Sequence, residues 1–122
     1  MKRILITGSR DWQDNLTINR AITAAMWDHG GTEFVIVSGH CPTGADAEAE
    51  RIAKARDIPV ELHPADWKTY GKAAGFRRNA EMVNLGADIC LAFIRNGSKG
   101  ATHTADLAEK AGIPMMRFHD DD

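Results

Sequence analysis

The stretch Ile89-Cys90-Leu91-Ala92-Phe93-Ile94 is apolar at all six positions. A strand with one solvated face alternates polar and apolar residues, whereas a strand covered by helices on both faces is apolar throughout. This stretch therefore predicts a central strand of a parallel sheet. Four further runs fit the remaining strands, at residues 3–7, 34–38, 60–63 and 114–118.

Helical periodicity fills the intervals between these runs. One stripe, formed by Ile18, Ala21, Ile22, Ala25 and Met26, predicts a helix from Asn15 that is capped by Asp14 or Asn15 and ends at Gly30-Gly31. The other predicted inward stripes are Ala45, Ala49, Ile52 and Ala53; Phe76, Ala80, Val83 and Ala87; and Ala101, Ala105 and Ala108. Strands that alternate with helices predict a small three-layer α/β sandwich. Its sheet is expected to be mainly parallel, doubly wound and five-stranded, in the order 3-2-1-4-5.

Composition bounds the class of protein. The chain has 122 residues, 43% hydrophobic and 26% charged, so a single domain over residues 1–122 is expected. A formal charge of −2 favours neither nucleic acid nor an anionic membrane as a partner. No apolar run is long enough to span a membrane, no signal peptide is evident, and a cytoplasmic protein is expected. Cys41 and Cys90 are too few for a disulfide framework or a four-cysteine zinc site.

In doubly wound sheets, ligands bind beyond the carboxyl ends of the strands. The first loop at this edge contains Gly8, Ser9 and Arg10. A glycine lets the backbone approach a ligand closely, and the two polar side chains can donate hydrogen bonds to phosphate. The loop lacks the GxGxxG pattern of dinucleotide-binding proteins. The alternative is an ordinary turn with a surface arginine.

The second loop, residues 39–46, has the GxxxxG spacing of a phosphate-binding loop, from Gly39 to Gly44. Ala45 and Asp46 stand where an ATPase needs lysine and serine or threonine, so no ATPase is expected. We expect Gly39, Thr43, Gly44 and Asp46 to bind phosphate or ribose at a helix start. The alternative is that Asp46 only complements the helix dipole. For His40 and Cys41 a structural or incidental role is expected, and no metal site is predicted.

The third loop, predicted as an irregular segment over residues 65–75, carries aromatic and basic side chains. Trp67 and Tyr70 can stack on a base, and Lys72 can hold phosphate. The alternative is that Trp67 packs on the sheet edge while the lysines are solvated.

Two polar clusters follow this segment. A helix from about Phe76 places Arg77, Arg78 and Asn79 in its first turn. There Arg77 can pair with Glu81, and an arginine at Arg78 opposes the dipole unless an anion is near. The alternative is that Arg78 pairs with Asp66. In the last loop, Ser98 and Gly100 resemble another anion cradle, unless Ser98 is a simple N-cap.

Several of these motifs occur together and in the order of one family. They are Thr7-Gly8-Ser9-Arg10-Asp11, Gly39 with Thr43-Gly44-Ala45-Asp46, His63-Pro64-Ala65-Asp66-Trp67, Gly71-Lys72-Ala73-Ala74-Gly75 with Arg78-Asn79, and Ser98-Lys99-Gly100. The chain resembles the YspA/YpsA-related branch of the SLOG superfamily, which is related to DprA and to LOG-type proteins and is found often in actinobacteria and their phages. The resemblance implies a Rossmann-like fold, a nucleotide or ADP-ribose-type ligand, no cofactor, a homo-oligomer, and a role in signalling or phage–host conflict.

The LOG-type enzymes of this superfamily hydrolyse the N-glycosidic bond of nucleoside monophosphates, which makes an N-glycosidase the alternative function. Their helix motif Met-His-x-Arg-Lys-x-x-Met matches residues 75–82, where Arg78 keeps the arginine and Asn79 replaces the lysine. Their second motif, Pro-Gly-Gly-x-Gly-Thr-x-x-Glu, matches residues 96–104, where Gly100 is kept and Thr104 replaces the catalytic acid. Glu81, Asp46 or Asp66 can supply a carboxylate instead. A third possibility is an interaction protein with a vestigial pocket.

Overall fold

The computed structural model describes residues 1–30 and 33–121. The predicted helix stop at Gly31 therefore lies outside the described residues. Five parallel strands form one sheet in the order β3-β2-β1-β4-β5, which confirms the predicted α/β fold and strand order. The strands are β1 (Lys2–Gly8), β2 (Phe34–Ser38), β3 (Val60–Leu62), β4 (Ile89–Ile94) and β5 (Met115–His119).

Helices connect all consecutive strands. They are α1 (Asn15–Asp28), α2 (Gly44–Ala55), α3 (Trp67–Tyr70), α4 (Ala74–Leu85) and α5 (Lys99–Lys110), with a 3₁₀ turn at Gly71–Ala73 between α3 and α4. Asp14 caps α1, since its carboxylate accepts a hydrogen bond from the amide of Thr17 at 3.2 Å. None of the helices in the described part of the chain has the length and apolar character needed to cross a bilayer.

Two hydrophobic layers cover the sheet because side chains of a strand alternate between its faces. Ile4 and Ile6 of β1 pack with the buried stripes of α1 and α2, whereas Leu5 faces the layer that contains Met82 and Val83 of α4. The small side chains Ala101 and Ala105 bring α5 close to β4 on that second face. All six residues of β4 are buried, as expected for a central strand.

The segment after β3 is helical, so the prediction of an irregular stretch over residues 65–75 is wrong. Asp66 caps α3 by accepting a hydrogen bond from the amide of Thr69 at 3.1 Å. The helix-forming pair Ala73-Ala74 then lets α4 begin at Ala74, two residues before the predicted start. Arg78 therefore lies beyond the first turn of α4, where the dipole argument no longer applies to it.

The earlier start also changes which face of α4 is inward. The buried positions are Ala74, Arg78, Asn79, Met82 and Val83. Phe76 was predicted to be inward, but its side chain is 49% exposed and meets the ring of His103 on α5, with 4.9 Å between ring centroids. The aromatic residue at helical spacing therefore belongs to a contact between two helices at the surface and not to the core.

Candidate functional site

A cavity of ≈ 580 Å³ opens at the carboxyl ends of the strands, next to the point where β1 and β4 lie side by side. Nine of the predicted site residues line it: Gly8, Arg10, Asp46, Trp67, Lys72, Arg78, Asn79, Ser98 and Gly100. The other four, Ser9, Gly39, Thr43 and Gly44, do not line it. The structure therefore brings residues from all four predicted loops to one place.

Ser9 joins the first loop to β4. Its side chain is buried, its amide donates to the carbonyl of Phe93 at 2.9 Å, and its hydroxyl accepts from the amide of Arg95 at 2.8 Å. The hydroxyl that was expected to face a phosphate is therefore used inside the fold. Its bonds fix the position of the backbone that forms the cavity floor.

The glycines of the first two loops let α2 approach β1. A Cβ atom at Gly8 would lie 3.0 Å from the carbonyl oxygen of Phe93 and closer still to the Cβ of Ala45. Gly44 has φ +73, and a Cβ there would lie 2.6 Å from the Cα of Arg10. The amide of Ala45 donates to the carbonyl of Ser9 at 3.2 Å. The loop pattern predicted that such an amide would bind an anion. In the structure this amide already donates to a carbonyl of the first loop.

Thr43 and Gly39 also contribute through packing. The hydroxyl of Thr43 donates to the carbonyl of Arg10 at 3.0 Å and so fastens the second loop to the first. A Cβ at Gly39 would lie 2.8 Å from the guanidinium carbon of Arg78. Both residues hold the loops that carry the lining side chains.

Asp46 is a buried carboxylate in the cavity wall, only 6% exposed. Its Oδ2 atom accepts a hydrogen bond from the amide of Cys41 at 3.3 Å. Its Oδ1 atom has no hydrogen-bond partner within the described residues. Burial raises the pKa of Asp46 to about 6, against the lowering effects of the Cys41 amide and the Arg78 guanidinium. Asp46 is therefore largely ionised at neutral pH.

Cys41 lines the cavity but is a poor nucleophile. Burial, followed by the charge of Asp46, raises the pKa of its thiol, so the thiolate is disfavoured. The two neighbouring histidines are engaged elsewhere, His40 with Glu50 at 2.9 Å and His63 with Glu61 at 2.6 Å.

Arg78 connects three elements at the back of the cavity. Its Nη1 atom donates to the carbonyls of Gly39 and His63, the latter at 3.4 Å, and its Nε donates to the side chain of Asn79 at 2.6 Å. The expected alternative partner, Asp66, caps α3 instead. The Nη2 atom of Arg78 has no hydrogen-bond partner among residues 1–30 and 33–121. The hydrogen bonds of this guanidinium are thus structural, and Arg78 also lines the cavity.

We expect Arg78→Ala to lower the free energy of unfolding by about 2 kcal/mol, because the buried carbonyl of Gly39 loses its donor. Lysine keeps the charge but lacks the planar fork, so Arg78→Lys is expected to lie between alanine and wild type. Urea denaturation measures both. Arg20→Ala is the matched control, since Arg20 is an exposed arginine of α1 away from the cavity. Equal stabilities for Arg78→Ala and Arg20→Ala would contradict this assignment.

Trp67 and Tyr70 lie on different surfaces although they are three residues apart. Trp67 is 50% exposed, lines the cavity, and has the guanidinium of Arg10 at 5.7 Å from its ring centroid. Tyr70 lies outside the cavity under the guanidinium of Arg77, at 3.9 Å. Arg77 therefore stacks on Tyr70, where the sequence suggested an ion pair with Glu81.

The start of α5 contributes the last part of the wall. Ser98 precedes α5, yet its side chain makes no capping hydrogen bond. Thr104, at the position of the acid in LOG-type enzymes, is fully buried, and its hydroxyl donates to the carbonyl of Gly100 at 3.1 Å. No carboxylate therefore enters the cavity from this position.

Sequence reasoning missed several lining residues. They are Ile6, Thr7, Asp11, Cys41, Gly75, Phe76, Met82, Arg95, Asn96 and Ala101. Arg95 and Asn96 follow β4 directly, so the carboxyl-end rule marked their loop. Arg95 also binds Asp120 at 2.8 Å. The charged lining side chains are then four cations, Arg10, Lys72, Arg78 and Arg95, and two carboxylates, Asp11 and Asp46. This excess of positive charge suits an anionic ligand.

Comparisons with known proteins show the family of the chain. A family model described as the YspA, cpYpsA-related SLOG family matches residues 2–70, which is more than half of the chain. The Gene 61 protein of Mycobacterium phage D29 is 42% identical over 125 residues, covering 98% of this chain and 98% of that protein. No solved structure matches the chain.

Proposed function

Because the chain belongs to the YspA, cpYpsA-related SLOG family, we propose that it binds a nucleotide or a nucleotide-derived ligand of the ADP-ribose type. The ligand occupies the cavity at the carboxyl edge of the sheet. The observation that carries the proposal is the combination of an indole ring and two exposed cations, Trp67, Arg10 and Lys72, on the wall of that cavity.

Each part of such a ligand has a suitable partner. Phosphate oxygens only accept hydrogen bonds, and the guanidinium of Arg10 and the ammonium of Lys72 only donate them. A base can stack on the exposed face of Trp67. The cavity volume of ≈ 580 Å³ falls within the range of small-molecule sites.

We expect Trp67→Ala to weaken nucleotide binding about five- to hundredfold, because one base–aromatic stack is worth about 1–3 kcal/mol. Isothermal titration of the purified protein with AMP, ADP and ADP-ribose measures this loss. Tyr70→Ala is the matched control, since it removes a similarly exposed aromatic residue outside the cavity. Wild-type affinity in Trp67→Ala, or an equal loss in both variants, would refute the stacking role.

A second candidate function is hydrolysis of the N-glycosidic bond of a nucleoside monophosphate. Of the three acids that can replace the missing catalytic glutamate, only Asp46 lines the cavity, whereas Asp66 and Glu81 line a separate depression behind α4. A carboxylate at that place can activate water for attack on the anomeric carbon. Chromatographic release of free base from AMP that disappears in Asp46→Asn supports this candidate. Binding without release supports the first one.

The biological setting proposed here is signalling or conflict between a phage and its host. It is supported by the family and by the similarity to a protein of a mycobacterial phage. In that setting the bound nucleotide acts as a signal, and a sensor needs no turnover. Binding measurements on the whole chain therefore test the proposal before any assay of turnover.

A further inference from the structure

The Asp46 carboxylate has one oxygen, Oδ1, that has no hydrogen-bond partner among the described residues. Its Oδ1 atom is shielded from water and unpartnered within the described residues, while Oδ2 accepts from the Cys41 amide. A buried charged acceptor without a donor costs free energy, and native structures rarely contain one. A missing donor at a cavity wall points to a ligand that supplies it.

Arg78 has the complementary group, a hydrogen-bond donor without an acceptor among the described residues. The positive charge of its guanidinium favours the ionised form of Asp46. Its hydrogen bonds, however, go to Gly39, His63 and Asn79. Its Nη2 atom is left without an acceptor among the described residues. One cavity thus contains an acceptor that lacks a donor and a donor that lacks an acceptor.

The chemistry of these two groups selects among the parts of a nucleotide. A phosphate only accepts hydrogen bonds and is negative, so the carboxylate of Asp46 repels it. The edge of adenine also offers a donor beside an acceptor, its exocyclic amine and a ring nitrogen, but the proposed function places the base on Trp67. A hydroxyl both donates and accepts, so it satisfies the two groups together. The part of a nucleotide that carries hydroxyls without charge is the ribose.

We propose that Asp46 accepts a hydrogen bond from a ribose hydroxyl, with Arg78 donating to the same sugar, so that the cavity selects ribonucleotides over their deoxy analogues. This inference rests on the proposed nucleotide-binding function and deepens it. It also assigns the anionic part of the ligand to Arg10 and Lys72, at the more exposed side of the cavity.

The test compares AMP with 2′-deoxy-AMP and 3′-deoxy-AMP by isothermal titration at pH 7.5. A hydrogen bond to a charged group is worth a factor of about ten to a hundred in affinity. We expect the wild type to bind AMP more tightly than at least one deoxy analogue by that factor. In Asp46→Asn the preference is expected to fall to less than threefold. IMP, which lacks the exocyclic amine of AMP, is expected to bind the wild type like AMP.

Asp28→Asn is the matched control. It removes one negative charge at an exposed residue of α1 that does not line the cavity. It is expected to keep the full preference for AMP over the deoxy analogue. Thermal melts establish that both variants are folded.

The outcomes separate this inference from the proposed function. Tight binding of AMP and both deoxy analogues alike, or an unchanged preference in Asp46→Asn, overturns the role of Asp46 and leaves nucleotide binding intact. Weak binding of IMP with equal binding of the deoxy analogues assigns Asp46 to the base and overturns the ribose assignment. Failure of the wild type to bind any nucleotide overturns the proposed function and this inference with it.

Discussion

Replacing Gly44 with alanine is expected to lower the free energy of unfolding by about 2–5 kcal/mol. The left-handed backbone at φ +73 costs an L-residue about 1–2 kcal/mol. The new methyl group would also overlap the carbonyl of Ser9 and lie 2.6 Å from the Cα of Arg10. Backbone on both sides cannot move away without breaking the contact between α2 and the first loop, which adds an overpacking penalty of about 1–3 kcal/mol.

Gly112→Ala provides the matched control for this prediction. Gly112 also has positive φ, +83, but a Cβ atom there meets nothing within 4 Å. Its substitution is expected to cost only the backbone term of about 1–2 kcal/mol. Thermal unfolding followed by circular dichroism compares the two at one scan rate. A loss for Gly44→Ala no larger than that for Gly112→Ala would show that the close approach of α2 carries no energetic weight.

Asp46→Asn is expected to gain stability relative to wild type as the pH rises. The pKa of Asp46 is raised from 3.8 to about 6 in the folded protein. The folded state therefore binds more protons than the unfolded state between these values, and the wild type loses stability as the pH rises through that window. The shift corresponds to about 3 kcal/mol, roughly four-fifths of it expressed between pH 4 and pH 7.5. The asparagine variant lacks this titration.

Urea denaturation of both proteins at pH 4 and pH 7.5 measures the effect as a change in their stability difference. Any constant cost of the amide cancels in that comparison. The groups facing Asp46 are the Cys41 thiol, the Arg78 guanidinium and the Glu50 carboxylate. Glu61 stays ionised at pH 4, because hydrogen bonds from Arg3 and His63 hold its pKa at about 2. A stability difference that is the same at both pH values would contradict a buried carboxylate.

Much of the architecture was predictable because a strand that is buried on both faces is apolar at every position. The apolar run of β4 and the small residues of α2 and α5 indicated the parallel sheet and its helices without further information. The segment after β3 was misread because short helices leave little periodicity, and the cap at Asp66 was not recognised. Phe76 was misplaced because helical spacing alone does not distinguish the core from a contact between helices.

The candidate site was predictable as a place more than as a set of contacts. Strand ends marked all four loops, since parallel strands deliver their carboxyl ends to one edge. The individual roles of Ser9, Gly39, Thr43 and Gly44 depend on which backbone atoms meet across the fold, and a motif does not contain that information. The unpartnered oxygen of Asp46 is likewise a property of the packed structure.

The bonds of Ser9 have a consequence for the thermodynamics of ligand capture. Its amide, hydroxyl and carbonyl tie the first loop to β4, α2 and Trp12. The cavity floor is thereby ordered before any ligand arrives, and binding there requires little loss of conformational entropy. Trp67, by contrast, lies on a short helix and is half exposed. The floor is therefore the preorganised part of the cavity. Any loss of conformational freedom on binding is expected at the wall that contains Trp67.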